Sequence, residues 1–374
     1  MNKSLFLAMT ACAAMAMTSC SSEDLTSGTT QANESPISFS TYLGRAAESR
    51  ASVISGSVPN FGVFAFYTGK QSWAQYTDKT TPNFMHNQKV ERTQGTDGTW
   101  SYTYSPLKYW PNNDGAQVSF FAYAPYNSLQ GWENSGSPTI TIPTDVKDQI
   151  DILVAPAIKD QTKQTVGSKL TFNFKHALCR IGFEVAYAAD GTTQSDDKII
   201  DGATTITLSK IELHKAGDAT DAGVFYTKGS MDMTSNGSVF GTEANTVQAF
   251  TLTKDNFKQA SGASSNEDFN VTNEYRQLNA DDSYLMIIPQ DFSGESNEGF
   301  DITVTYTVAT VDNNNAANNS IISNEITKNL KLSFEAGKAY NLKLLLGMTS
   351  VKIDASSTDW TSSEETVELP ANQN

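Results

Sequence analysis

Cysteine is almost absent from this chain. Three occur in 374 residues, at Cys12, Cys20 and Cys179. Cys12 lies within an N-terminal apolar stretch and Cys20 ends it, which leaves Cys179 without a partner. A disulfide framework is excluded. Cys179 alternates with Ile181, Phe183 and Val185 and reads as a small core residue, since no electropositive setting marks a reactive thiolate. Histidine is as scarce: His86, His176 and His214 share no metal-ligand spacing. His176 reads as structural and His214 as a surface residue. Basic residues are few, 26 Lys plus Arg against 41 Asp plus Glu, for a formal net charge of −15. An acidic surface repels phosphate backbones, so no nucleic-acid partner is expected. No G-x-S-x-G, phosphate-cradling loop or dinucleotide fingerprint occurs. The Asp196-Asp197 and Asp281-Asp282 pairs fall in no EF-hand loop. No catalytic, cofactor or metal residue can be named, and the chain reads as non-enzymatic. Plentiful carboxylates leave a hydrolase as the weakest alternative, because abundance in an acidic chain singles out no pair.

What is present begins at the N-terminus. Lys3 precedes an apolar run from Leu5 to Met17, a secretory-signal layout. The run is too short to cross a bilayer as a helix. Met17-Thr18-Ser19-Cys20 resembles a bacterial lipobox. On that reading residues 1–19 are removed, and Cys20 carries lipid and anchors the chain. Ordinary signal cleavage after Ala14-Met15-Ala16 is the alternative. Ser21-Ser22-Glu23-Asp24 resembles the tag that sends lipoproteins to the outer surface of the outer membrane. Residues 20–36 are small and polar and read as a flexible tether.

Beyond residue 36, period-two alternation dominates. Leu170, Phe172 and Phe174 alternate with polar residues, as do Ile302, Val304, Tyr306 and Val308. Phe61 to Tyr67, Val118 to Tyr126, Ile150 to Ala155 and Tyr284 to Ile288 are apolar on both faces and read as central strands. Asn/Asp/Gly turns separate them. The fold class is all-β, as tandem sandwiches. A polar break near residues 157–168 suggests domains at 37–160 and 165–374. Trp100, Tyr102 and Tyr104 alternate and read as core; Trp73 and Trp132, in polar surroundings, read as exposed. Exposed tryptophans would suit sugar rings, so a monomeric glycan-binding surface lipoprotein is the rival class.

Several segments in order resemble the fimbrillin family, the subunits of type V pili. They are Ile37-Ser38-Phe39-Ser40-Thr41 followed by Arg45 and Arg50, then Tyr109-Trp110-Pro111, then Val118 to Pro125. Asp151 to Ala155, Leu170 to Leu178, Gly337 to Leu342 and Asp359-Trp360 complete the series. The resemblance implies two β-sandwich domains of transthyretin-like, Greek-key type, and a pilus subunit that supports adhesion to a host or bacterial surface ligand. It further implies strand exchange: an arginine-specific surface protease removes the first strand, and a strand of another subunit fills the groove. The residues fit this scheme. Ile37, Phe39, Thr41 and Leu43 share one face of an extended segment. Arg45 and Arg50 lie in small polar sequence, either a protease target or merely a loop. Val351 and Ile353, then Val367 and Leu369 after a polar gap, are candidate donor residues in a possible arm at 351–374; the alternative is that both strands complete their own domain.

Overall fold

The computed structural model describes residues 36–43, 58–129, 131–132, 137–166, 169–188, 204–234, 240–242, 246–258, 269–280, 283–311, 315–360 and 367–369. Cys20, Arg45, Arg50, Asp196, Asp197, Asp281 and Asp282 lie outside them. Among the described residues no helix is long and apolar enough to cross a membrane.

The first sheet contains β1 (Phe39–Leu43), β2 (Asn60–Gly69), β3 (Met85–Gln94), β4 (Trp100–Thr103) and β5 (Gln117–Ala124). To these it adds β7 (Leu153–Val154), β8 (Ile158–Gln161) and β9 (Leu170–His176). The order is β1-β9-β7-β5-β2-β3-β4, with β8 beside β5. β9 follows the polar break near 157–168, yet its ladder partners are β7 and β1. Alternation explains how β2 and β5 are buried twice. Phe61, Val63 and Ala65 with Val118, Phe120 and Ala122 enter one core. Phe64, Phe66, Phe121 and Tyr123 enter another, under Trp73 and Trp132. This is why these runs are apolar on both faces.

The second sandwich starts at β10 (Cys179–Tyr187), which pairs with β18 (Arg276–Gln277), β19 (Leu285–Ile287) and β24 (Lys338–Leu346). β25 (Val351–Asp359) and β26 (Val367–Leu369) extend that sheet. The facing sheet joins β11 (Thr204–Lys215), β16 (Phe250–Thr253), β17 (Phe269–Val271), β21 (Phe300–Thr310) and β22 (Ser320–Leu330). A bulge between Leu208 and Lys210 shifts the inward parity of β11 from Ile206 and Leu208 to Ile211 and Leu213. Smaller pairings complete the chain. β6 (Thr139–Thr141) joins β13 (Lys228–Met231) and β14 (Phe240–Thr242); β12 (Phe225–Tyr226) joins β15 (Val247–Gln248); β20 (Gln290–Asp291) joins β23 (Ser333–Phe334). One apolar cluster runs from Phe64 and Trp132 through Ile152 to Phe183, Leu342 and Tyr306. The two sandwiches therefore share a continuous core.

Candidate functional site: the slot of the first strand

β1 fills a slot in the first core. Its alternation sends Ile37, Phe39 and Leu43 inward, where each is buried, and leaves Tyr42 57% exposed. Thr41 shares the inward parity and is half-buried. The Phe39 ring lies 5.6 Å from Phe172, 5.4 Å from Tyr104, 6.2 Å from Phe61 and 6.3 Å from Phe120. Phe174 backs Phe61 at 5.6 Å. Burying the three large side chains of the segment stabilises the fold by roughly 5–9 kcal/mol, at about 1.5–3 kcal/mol each.

The backbone of β1 is held unequally on its two sides. One side carries a parallel ladder to β9, from Phe39 opposite Leu170 to Leu43 opposite Phe174. The other side faces β4, which ends the sheet at its far edge. There side chains replace the ladder. The Tyr102 hydroxyl donates to the Val58 carbonyl at 2.8 Å, so it accepts from the Thr41 hydroxyl at 2.7 Å. The Tyr104 hydroxyl donates to the Ile37 carbonyl at 2.7 Å. Burial pushes the Tyr104 phenol up from its ordinary pKa, so the donor keeps its proton. The Ile37 amide donates to the Lys108 carbonyl at 2.8 Å, and Pro36 bridges Tyr109. Alternation alone marks Tyr102 and Tyr104 as core side chains and does not reveal the hydroxyl bonds to β1, because that strand lies far upstream in the chain.

The candidate donor residues divide. Val351 and Ile353 belong to β25, buried at 3% and 5% exposure, with β24 on one side and β26 on the other. Val367 and Leu369 lie in β26, a three-residue strand that among the described residues pairs with β25 alone and ends the sheet, with Val367 opposite Ser357 and Leu369 opposite Ala355.

A second constellation gathers residues from four of the resembling segments. His176 Nδ1 lies 2.9 Å from Asp151 Oδ2, and both side chains are fully buried. The imidazole stacks on Trp360 at 4.0 Å and 6°. The Trp360 amide donates to the Gly337 carbonyl, and the Gly337 amide to the Leu178 carbonyl. Gly337 sits at φ +73°, open to glycine without strain. Arg180 lies 5.4 Å from the Trp360 ring and 4.6 Å from Tyr284. An Asp–His pair suggests a hydrolytic triad, but His176 Nε2 is buried and among the described residues bonds no hydroxyl or thiol. The cluster locks β9 to β10, β24 and β25 instead. Cys179 beside it is buried, and that burial pushes its thiol well up, away from reactivity.

Three expectations are corrected. Trp73 and Trp132 are buried, at 5% and 0% exposure, under loops that their polar neighbours concealed. Trp100 is instead exposed at 54%, with the Arg92 guanidinium 4.1 Å from its ring. His214 is buried, bonded through Nδ1 to the Lys215 carbonyl and through Nε2 to the Thr303 hydroxyl. Among the described residues no group of three His, Cys, Asp or Glu is placed to hold a metal.

Comparison with known proteins shows the family and the fold. A model of the fimbrillin-like family matches residues 45–360. The chain is 28% identical over 336 residues to fimbrium subunit Fim1C of Phocaeicola vulgatus, with 83% of each chain covered. Its fold is similar to the crystal structure of a fimbrial protein from Bacteroides vulgatus, at a TM-score of 0.63 and 21% identity, covering 87% of this chain and 99% of that one.

Proposed function

The chain belongs to the fimbrillin-like family, and on that premise we propose that it is a structural subunit of type V pili assembled by protease-activated strand exchange. A fimbrial subunit associates with other pilus subunits at the cell surface. The finer scheme is ours. Cys20 carries lipid and holds the precursor at the outer membrane. An arginine-specific protease cuts after Arg45 or Arg50, and β1 leaves its slot. A strand of another subunit, with period-two apolar residues, replaces it. The fibre then supports adhesion through a ligand that recognises the assembled surface.

The single observation that carries this reading is the way β1 is held. Its inward side chains are core residues, yet among the described residues its backbone has a ladder on one side only, with tyrosine hydroxyls and the Lys108 carbonyl on the other. Losing it uncovers Phe61, Phe120, Phe172 and the edge of β9 together. Apolar surface and unpaired backbone groups are both costly to leave in water, and a second strand restores both. Leu43 and Val58 end in the same cluster, so a cut between them frees β1 without breaking a described ladder. The family match, residues 45–360, leaves out both β1 and β26.

The test is the double substitution Arg45→Ala/Arg50→Ala. The purified precursor should stay monomeric after protease treatment, while the unsubstituted protein forms SDS-resistant ladders. Ladders from the doubly substituted protein at the normal rate would overturn the scheme.

A further inference from the structure

The second sandwich ends, away from the His176–Trp360 lock, in an exposed apolar surface that strand exchange does not use. There β10 ends at Tyr187, opposite Leu346, and β25 starts at Val351, also opposite Leu346. β21 ends and β22 starts with Thr310 opposite Ser320. The Tyr306 hydroxyl donates to the Gly347 carbonyl at 2.8 Å and ties the two sheets together at this end. The Asn324 amide donates to the Met348 carbonyl at 3.0 Å. Ile321 is 79% exposed, Ile322 51%, Val311 48% and Met348 38%. Ile321 and Ile322 point to opposite faces of β22, so both faces of this strand end are apolar. β22 is also the last strand of its sheet. Its first five residues hold no charge or proline, the devices that ordinarily blunt such an edge.

Residues 315–324 and 347–351 carry no charged side chain, so these two segments add no repulsion between two acidic copies. Direction selects the occupant. β26 pairs Ser357 with Val367 and then Ala355 with Leu369, so it runs from the lock toward the apolar end. A donor strand leaving along β26 would bring its acceptor's slot to that end.

The slot has a matching shoulder. β1 starts beside the loop that holds Leu107 and Tyr109, exposed at 50% and 44%. Lys108 between them turns its ammonium over the Phe84 ring. We propose that the apolar surface formed by Val311, Ile321, Ile322 and Met348 docks a second copy of this chain at its slot mouth, around Leu107 and Tyr109. The docking rests on the strand-exchange reading and adds to it a contact that aligns donor and acceptor before the strand inserts. Two different surfaces at different ends of the chain form a heterologous contact, which propagates as a filament.

The experiment follows SDS-resistant laddering of the protease-activated full chain at limiting concentration. Ile321→Glu/Ile322→Glu should fold with an unchanged melting temperature and ladder roughly tenfold more slowly or worse, as expected when central interface residues are lost. Leu107→Glu/Tyr109→Glu should slow laddering likewise. Mixing acceptor subunits bearing Leu107→Glu/Tyr109→Glu with donor subunits bearing Ile321→Lys/Ile322→Lys should restore the rate. Should Ile321→Glu/Ile322→Glu lower the melt, Ile321→Ser/Ile322→Thr replaces it, with slower laddering again expected. Normal laddering by a folded variant, or no rescue in the mixture, overturns the docking. If the unsubstituted chain forms no ladder, strand exchange fails, and sedimentation of the uncut protein decides separately. Self-association lost in Ile321→Glu/Ile322→Glu supports the docking surface; monomers in both overturn it.

Discussion

Phe39 is the residue on which the slot turns. It touches Phe61, Phe120, Phe172 and Tyr104, rings from four other segments of the first sandwich. Phe39→Ala should destabilise the uncut protein by about 3–5 kcal/mol, the cost of a large-to-small change in a packed core. The loss should be absent from the processed subunit, which no longer contains residue 39. Paired thermal or urea melts of uncut and processed protein check both halves. An uncut melt unmoved by the substitution would mean that Phe39 is not a core residue.

At the scale of the element, β26 contrasts with β25. β25 puts Val351, Ile353 and Ala355 into the second core, whereas β26 adds three residues at an edge. Deleting residues 361–374 should therefore leave a cooperative melt close to the original, and should abolish growth of the SDS-resistant ladder. Unfolding on deletion would assign the segment to its own sandwich; undiminished laddering would place the donor elsewhere. Much of this element-level picture was legible in the chain. β2 and β5 read as central because apolar residues stand on both of their faces, and they are buried against two cores. The inward face of β1 was visible in Ile37, Phe39 and Leu43. The tyrosine hydroxyls that replace a ladder on its free side were not, since a hydroxyl's partner is set by how the sheet curls. Trp73, Trp132 and His214 misled for a related reason. Local polarity reports the neighbours in the chain, and burial depends on what folds over them. Asp151, His176, Gly337 and Trp360 stood out only as pieces of separate segments; their convergence is a product of topology.

For the whole molecule, the shared core and the His176–Trp360 lock make the two sandwiches one mechanical unit. On the proposed strand exchange, a fibre needs one such connection per subunit, and removal of β1 opens a place for it. Strand exchange requires that β1 be absent from the assembled subunit, and the N-terminal sequence of subunits extracted from intact surface fibres reads this out. The account predicts a start at Ala46 or Ala51, with residues 37–43 gone. Assembled subunits that still carry Ile37, Phe39 and Leu43 would contradict it.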